Sequence, residues 1–148
     1  MPNGKTHDKI TIITAPIVAA GTFVVNKHQN PENLQFTLIL TLIVTFAYLF
    51  ASFMFNGDLD TNSKPYNRWW LFKMIWIPYQ LIFHHRSFWT HGIIVGTVVR
   101  LIYLSPIFYS FYVVFNIPVQ NIGLNYLIPI FIGLELGNSI HTISDKIG

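Results

Sequence analysis

The feature that most constrains this chain is an apolar stretch of 22 residues, Leu34 to Phe55, that contains no charged side chain. A transmembrane helix needs about 20 consecutive apolar residues to cross the hydrocarbon core of a bilayer. The composition agrees, because 52% of the residues are hydrophobic and 10% are charged, whereas soluble domains average roughly 25% charged residues. The sequence therefore predicts an integral membrane protein.

Three further segments have the length and polarity of membrane spans, and they cover residues 10–25, 93–115 and 122–140. The core of a cleavable signal peptide is the alternative for the first, because Ala19, Ala20 and Gly21 offer small residues for cleavage. Residues 116–121 separate the last two spans and predict a tight polar turn. We expect an all-α membrane protein with four transmembrane helices in a single domain over residues 1–148.

The connection between the second and third spans, residues 56–92, differs from the other connections in length and composition. It contains all four tryptophans, between Trp69 and Trp89, and tryptophan favours the boundary between membrane and water. We expect a short interfacial helix that ends near Pro78. The alternative is a re-entrant segment that dips into the bilayer, which the charges and prolines of this connection disfavour.

Four crossings return the chain to its starting side, so both termini and the 56–92 connection share one membrane surface. That surface collects most of the histidines and acidic residues: His7, Asp8, Asp58, Asp60, His84, His85, His91, His141 and Asp145. It also carries seven of the nine Lys and Arg residues, while the opposite loops carry Lys27. Because an excess of Lys and Arg marks the cytoplasmic side, we expect these groups to face the cytoplasm.

Histidine and aspartate side chains gathered at one surface suit zinc, manganese or iron. The spacing supports this in part, because His141 and Asp145 are four residues apart and share one face of a helix. The candidate ligands are His7, Asp58, Asp60, His85, His91, Glu135, His141 and Asp145. We expect divalent metal ions, two rather than one, with zinc favoured. The alternative is a merely polar surface whose histidines are incidental. The chain has no cysteine, which excludes thiolate ligands and cysteine nucleophiles.

Two charged residues, Arg100 and Glu135, fall inside predicted spans. A charge within the membrane is costly unless it is paired or turned inward. One interpretation is an Arg100–Glu135 ion pair that locks the last two helices together. The other gives Glu135 a place among the metal ligands and lets Arg100 bind an anionic head group.

The ordered motifs resemble a bacterial family of small integral-membrane proteins described as uncharacterised metal-binding proteins. The motifs are His7-Asp8, Gly57-Asp-Leu-Asp60, His85-Arg-Ser with Thr90-His91, and Gly133-Leu-Glu-Leu-Gly137 followed by His141 and Ser144-Asp145. That group is similar to inner-membrane, metal-dependent hydrolases, which share His/Asp motifs with zinc-dependent phospholipase C. The resemblance implies a protein of the bacterial inner membrane.

The favoured function is hydrolysis of a phosphoester in a lipid or lipid-like anionic substrate at the cytoplasmic face. Asp8 or Asp60 is the expected general base, and Arg86 is the expected phosphate clamp, because a guanidinium binds two oxygens at once. The alternative is a non-catalytic metal-binding membrane protein: a sensor, carrier or transporter component. The expected partner is the lipid bilayer. The net charge of +3 is too small and too scattered to indicate nucleic acid, and the oligomeric state stays open.

Overall fold

The computed structural model describes residues 4–116 and 123–147, and over these ranges the chain forms helices and turns with no strand. Seven α-helices follow one another: α1 (Gly4–Gln29), α2 (Leu34–Met54), α3 (Lys64–Arg68), α4 (Trp76–Ile82), α5 (Phe88–His91), α6 (Val95–Phe115) and α7 (Leu124–Ile147). Four of them, α1, α2, α6 and α7, are long and apolar enough to cross a membrane. The expected all-α fold with four such helices is confirmed.

The helices differ from the predicted spans mainly at the end that carries the histidines. The first helix begins at Gly4 rather than near residue 10, and the last runs to Ile147 rather than to residue 140. A search for apolar segments detects only the apolar part of each helix. The polar residues that flank it continue the same helix. Residues 117–122, which include most of the predicted turn at 116–121, lie outside the described residues.

The first helix packs along the second. The hydroxyls of Thr14 and Tyr48 lie 2.5 Å apart, and the amide of Asn26 donates to the hydroxyl of Thr41 at 3.3 Å. These contacts hold α1 against α2.

The connection over residues 56–92 is a series of short helices, which include 3-10 turns over Gly57–Asp60 and Trp70–Ile75. The expected end of a helix near Pro78 is wrong, because Pro78 lies within the first turn of α4. The N–H groups of a first turn have no partner inside the helix, so a proline there removes no helical hydrogen bond.

Two packing features place this connection on the bundle. The first is the close approach of α7 to α2. A Cβ added at Gly133 would lie 2.4 Å from the nearest α2 atom, and one added at Gly137 would lie 2.7 Å away. The second is an apolar core that fixes the short helices beneath the end of α2; its fully buried members include Phe55, Leu59, Trp76 and Tyr79. Together they bring the 3-10 turn at Gly57–Asp60 beside the last turns of α7.

Candidate metal centre

Four side chains from three separate parts of the chain converge at one end of the bundle: Asp58, His91, His141 and Asp145. Each offers one ligand atom, and these atoms all lie within 4.8 Å of one another. Nε2 of His91 is 3.5 Å from Oδ1 of Asp58, and Nε2 of His141 is 3.4 Å from Oδ2 of Asp58. Four donors bound at 2.0–2.2 Å to a tetrahedral ion are about 3.3–3.6 Å apart, so these spacings suit donors around one ion.

Asp145 completes the group from the other side. Its Oδ2 atom is 3.6 Å from Nε2 of His141 and 4.0 Å from Nε2 of His91. All three of these buried atoms lack a hydrogen-bond partner among the described residues. An unpaired buried polar atom costs about 1–3 kcal/mol, and a divalent cation would satisfy all three at once while balancing the two carboxylates. Two imidazoles and two carboxylates therefore fit a zinc, manganese or iron ion.

The position of Asp58 depends on its neighbours in the 3-10 turn. The side chain of Asn56 accepts a hydrogen bond from the Asp58 N–H at 3.1 Å and donates to the Ser52 carbonyl at 2.8 Å. Gly57 leaves room for the His91 ring, because a Cβ there would lie 2.8 Å from Cδ2 of His91. The motif around Asp58 thus provides both a turn and a space for the imidazole.

Asp60, predicted as a ligand and as a base, lies behind His91 and outside the four-residue group. Its Oδ2 atom accepts the backbone N–H of Arg86 at 3.0 Å and is 3.5 Å from Nδ1 of His91. Its Oδ1 atom is 2.7 Å from Nδ1 of His85, so His85 also lies outside the group. Carboxylates in this position orient imidazole ligands and raise their basicity, and the Thr90 hydroxyl, 2.9 Å from Nδ1 of His91, adds to this support.

His7 borders the group without belonging to it. Its Nε2 atom is 3.1 Å from Oδ1 of Asp145, and its ring centroid is 4.3 Å from that of His141. This hydrogen bond occupies Oδ1 of Asp145 and leaves Oδ2 directed at His91 and His141. His7 therefore orients the Asp145 carboxylate.

Asp8, predicted as a base, lies outside the four-residue group, in the wall of a small cavity that also touches Asp58 and His141. Nη2 of Arg68 lies 2.8 Å from both of its carboxylate oxygens, and Lys64 pairs with the same carboxylate. Two cations therefore neutralise Asp8, and together the three side chains fasten the start of α1 to α3.

Arg100 and Glu135 do not form the ion pair that is one of the two interpretations of these residues. The Arg100 guanidinium is fully buried and donates to the Thr90 carbonyl and to Oδ1 of Asn138, each at 2.8 Å. Glu135 instead accepts the backbone N–H of Ile94 at 2.8 Å, outside the four-residue group. Arg100 thus links Thr90, which precedes His91, to Asn138, which lies one turn before His141. Sequence reasoning missed Asn138, although its place three residues before His141, on the same helix face, is a usable signal.

The group is flanked by two spaces. A small cavity of about 10 Å³ touches His7, Asp58 and His141, which is close to the smallest void that accepts a water. An open cavity of about 370 Å³ reaches His91 from the opposite side. Arg86, the predicted phosphate clamp, lies in the wall of this open cavity, with Nη2 3.8 Å from Oδ1 of Asp145.

Comparison with known proteins identifies a family and one relative that matches part of the chain. The profile of the family described as uncharacterized metal-binding protein (DUF2227) matches residues 2–148. A protein of Aquifex aeolicus (strain VF5), described as an uncharacterized protein, is 41% identical over 58 residues, which are 38% of this chain and 40% of that protein. No solved structure matches, and these matches give no support to the expected similarity to hydrolases or to phospholipase C. The chain belongs to the DUF2227 family of uncharacterized metal-binding proteins.

Proposed function

We propose that the chain is a membrane-embedded, metal-dependent hydrolase that cleaves a phosphoester in a lipid or lipid-like substrate. The observation that carries this proposal is a set of four converging donors beside an open cavity, at one end of a bundle of apolar helices. A structural metal site is closed by protein ligands, whereas a catalytic site keeps one position open. The cavity that reaches His91 supplies such an opening.

The four-residue group would hold the metal with a further position open toward the cavity, and zinc is favoured because it takes imidazole and carboxylate ligands and can expand from four- to five-coordinate geometry. When bound, a divalent ion supplies charge that polarises a phosphoryl oxygen and lowers the pKa of a coordinated water to about 7. A second ion, which the sequence favours, would have to recruit His7 beside Asp145. The family description supports metal binding.

We assign the proton-transfer role to His85, which Asp60 holds beside His91. Nδ1 lies 2.7 Å from the Asp60 carboxylate, which can only accept a hydrogen bond when ionised, so the neutral imidazole in this position has its lone pair on Nε2, the form that a general base needs. The side chain is 42% exposed and its ring centroid is 5.8 Å from that of His91. Asp60 positions this ring, and Asp8, held by two cations, is poorly suited to the role that sequence reasoning gave it.

The bilayer is the proposed environment, with the site at the cytoplasmic face of the bacterial inner membrane. Four helices have the length and polarity of spans, and Trp70 and Trp89 are exposed on the connection that carries the site. Tryptophan favours the depth of the head groups. Seven of the nine Lys and Arg residues lie on the site's side of the predicted topology, which supports a cytoplasmic orientation.

Metal-dependent hydrolysis by the purified protein tests the proposal. We expect cleavage of at least one member of a panel of phosphomonoesters, phosphodiesters and phospholipids, loss of cleavage after chelation, and recovery when zinc, manganese or iron is added. His141→Ala should be inactive, while His28→Ala, at the far end of α1, should retain activity. Full metal content without cleavage of any member would contradict hydrolysis and favour a sensor, carrier or transporter component.

Transport is disfavoured by the placement of the donors. Transporters place ion sites near the bilayer midplane, between the two ends of the spans. Here the donors lie at one end of the bundle, and two cavities of about 580 Å³ each, along the described parts of the long helices, have no ionisable side chain in their walls.

A further inference from the structure

The open cavity beside His91 has the size and position of a substrate site. Its volume is about 370 Å³, within the range of about 300–1,000 Å³ that is usual for pockets that bind small molecules. Its wall comes from α5, from the residues directly before and after α5, and from the last turns of α7, and it includes Arg86, Ser87, Phe88, His91, Ile93 and Lys146. Because His91 is shared with the donor group, a molecule in the cavity would touch the metal centre.

The charge inside this cavity is of one sign. Its wall contains the cations Arg86 and Lys146 and no carboxylate. The Arg86 guanidinium is 40% exposed and makes one distant contact, 3.8 Å, with Asp145, while Lys146 makes no ion pair with any described acidic residue. Clefts lined by charge of one sign concentrate ligands of the opposite sign.

The backbone holds Arg86 in an unusual conformation. Its φ angle is +61°, in the left-handed region that few residues other than glycine adopt. The buried Asp60 carboxylate fixes it there by accepting its N–H at 3.0 Å. The same carboxylate lies 3.5 Å from Nδ1 of His91, so one residue holds both the backbone of Arg86 and the imidazole of a metal donor.

The rim of the cavity is apolar. Phe88 is 66% exposed and Ile93 is 50% exposed, and both belong to the wall. Trp89, next to Phe88, is also exposed. A ligand that fits this site has an anionic group for the cations and an apolar body for the rim.

We infer that Arg86 and Lys146 bind the phosphate group of the substrate, and that this substrate is a phospholipid whose apolar part lies against Phe88 and Ile93. The inference rests on the proposed function and names its substrate class. Arg86 offers paired N–H donors to two phosphate oxygens, and Lys146 adds a compact point charge. The Ser87 hydroxyl in the same wall is a further hydrogen-bonding group.

A binding measurement on metal-loaded protein in detergent micelles tests this inference independently of turnover. The probes are inorganic phosphate and short-chain phosphatidic acid in its phosphonate form, whose P–C bond cannot be hydrolysed, and the readout is titration calorimetry together with metal content. We expect Arg86→Gln and Lys146→Gln each to weaken binding of both probes about tenfold or more, while the metal content is unchanged. Arg86→Lys should recover part of the loss, because it restores the charge but not the paired donors.

Lys73→Gln is the matched control, since Lys73 lies on the same connection but over the Tyr66 ring, away from the cavity. It should bind both probes like the wild type. Wild-type affinity in the Arg86→Gln and Lys146→Gln variants, with folding shown by circular dichroism, would overturn the anion site. Equal affinity for inorganic phosphate and phosphatidic acid would overturn the phospholipid assignment.

The same variants separate failure of this inference from failure of the proposed function. If phosphate binds through Arg86 and Lys146 but no phosphoester is cleaved, hydrolysis fails and the anion site stands. If a phosphoester is cleaved and Lys146→Gln leaves its KM unchanged, hydrolysis stands and the anion site is overturned.

Discussion

The Arg100→Leu substitution tests how the two halves of the metal centre are held together. The guanidinium is fully buried and donates at 2.8 Å to the Thr90 carbonyl on one side and to Asn138 on the other. Burial raises the pKa of the neighbouring Tyr79 phenol to about 12, against the opposing effect of Arg100, so Tyr79 offers no anion to balance the cation. A third hydrogen bond, to the Thr97 hydroxyl, is longer at 3.4 Å, so we expect the stability to come mainly from the two short hydrogen bonds rather than from a pairing of charges.

The magnitude follows from the contacts that are lost. Hydrogen bonds to charged groups contribute about 1.5–3 kcal/mol each, so removal of both should lower the free energy of unfolding by about 3–6 kcal/mol. The metal affinity should fall as well, because Thr90 precedes His91 and Asn138 lies one turn before His141. Excess zinc should recover metal binding in part, since no donor is removed.

Double-mutant cycles, measured by chemical unfolding in mixed micelles, identify the partner of Arg100. Residues in contact show coupling energies of about 0.5–3 kcal/mol, so we expect coupling in this range between Arg100→Leu and Asn138→Ala. The coupling between Arg100→Leu and Glu135→Leu should be smaller, because these side chains make no ion pair within 4.0 Å. If Glu135→Leu restored most of the stability that Arg100→Leu loses, the ion pair would be real and this account of Arg100 would be refuted.

Three further predictions concern packing, ligand support and topology. Gly137→Ala should destabilise the protein by about 1–3 kcal/mol, because its Cβ would lie 2.7 Å from Ala51 Cβ. Gly21→Ala, where the added Cβ meets open space, should leave the stability unchanged. Equal unfolding midpoints for the two variants would contradict the close packing of α7 on α2. Asp60→Asn should weaken zinc affinity about 10–100-fold in a competition titration and leave the number of zinc ions bound at saturation unchanged. If zinc no longer binds even at saturation, Asp60 is a ligand. A cysteine at exposed Asn62 should be protected from an impermeant thiol reagent in intact cells, and one at exposed Gln29 should react; the reverse result would place the site outside the cytoplasm.

The apolar pattern predicts where the long helices lie but not where they end. The sequence predicts the second span over residues 34–55, and the helix covers Leu34–Met54. The two agree because the apolar stretch and the helix stop at the same place. The last helix continues past residue 140 through His141 to Ile147, since residues 141–147 include neither proline nor glycine, the two residues that most disfavour a helix. The short helices of the 56–92 connection depend on burial of Trp76 and Tyr79, which no local pattern reveals.

Topology alone predicts which segments meet, and it does not select among neighbouring polar residues. Asp58 and Asp60 lie two residues apart in one 3-10 turn, yet Asp58 faces the donor group and Asp60 supports His91 from behind. His7 and Asp8 are adjacent on α1, yet Asp145 holds one and Arg68 the other. The assignment depends on the rotation of each turn against its neighbours, which tertiary packing decides.

The metal content of the purified protein tests the central claim most directly. Mass spectrometry of protein prepared without chelator should find at least one transition-metal ion per chain. His91→Ala and His141→Ala should lose most of this metal, because each removes one of the four converging donors, while His28→Ala should retain it. Substoichiometric metal in the wild type, unchanged in folded His91→Ala and His141→Ala variants, would contradict a metal centre at this site.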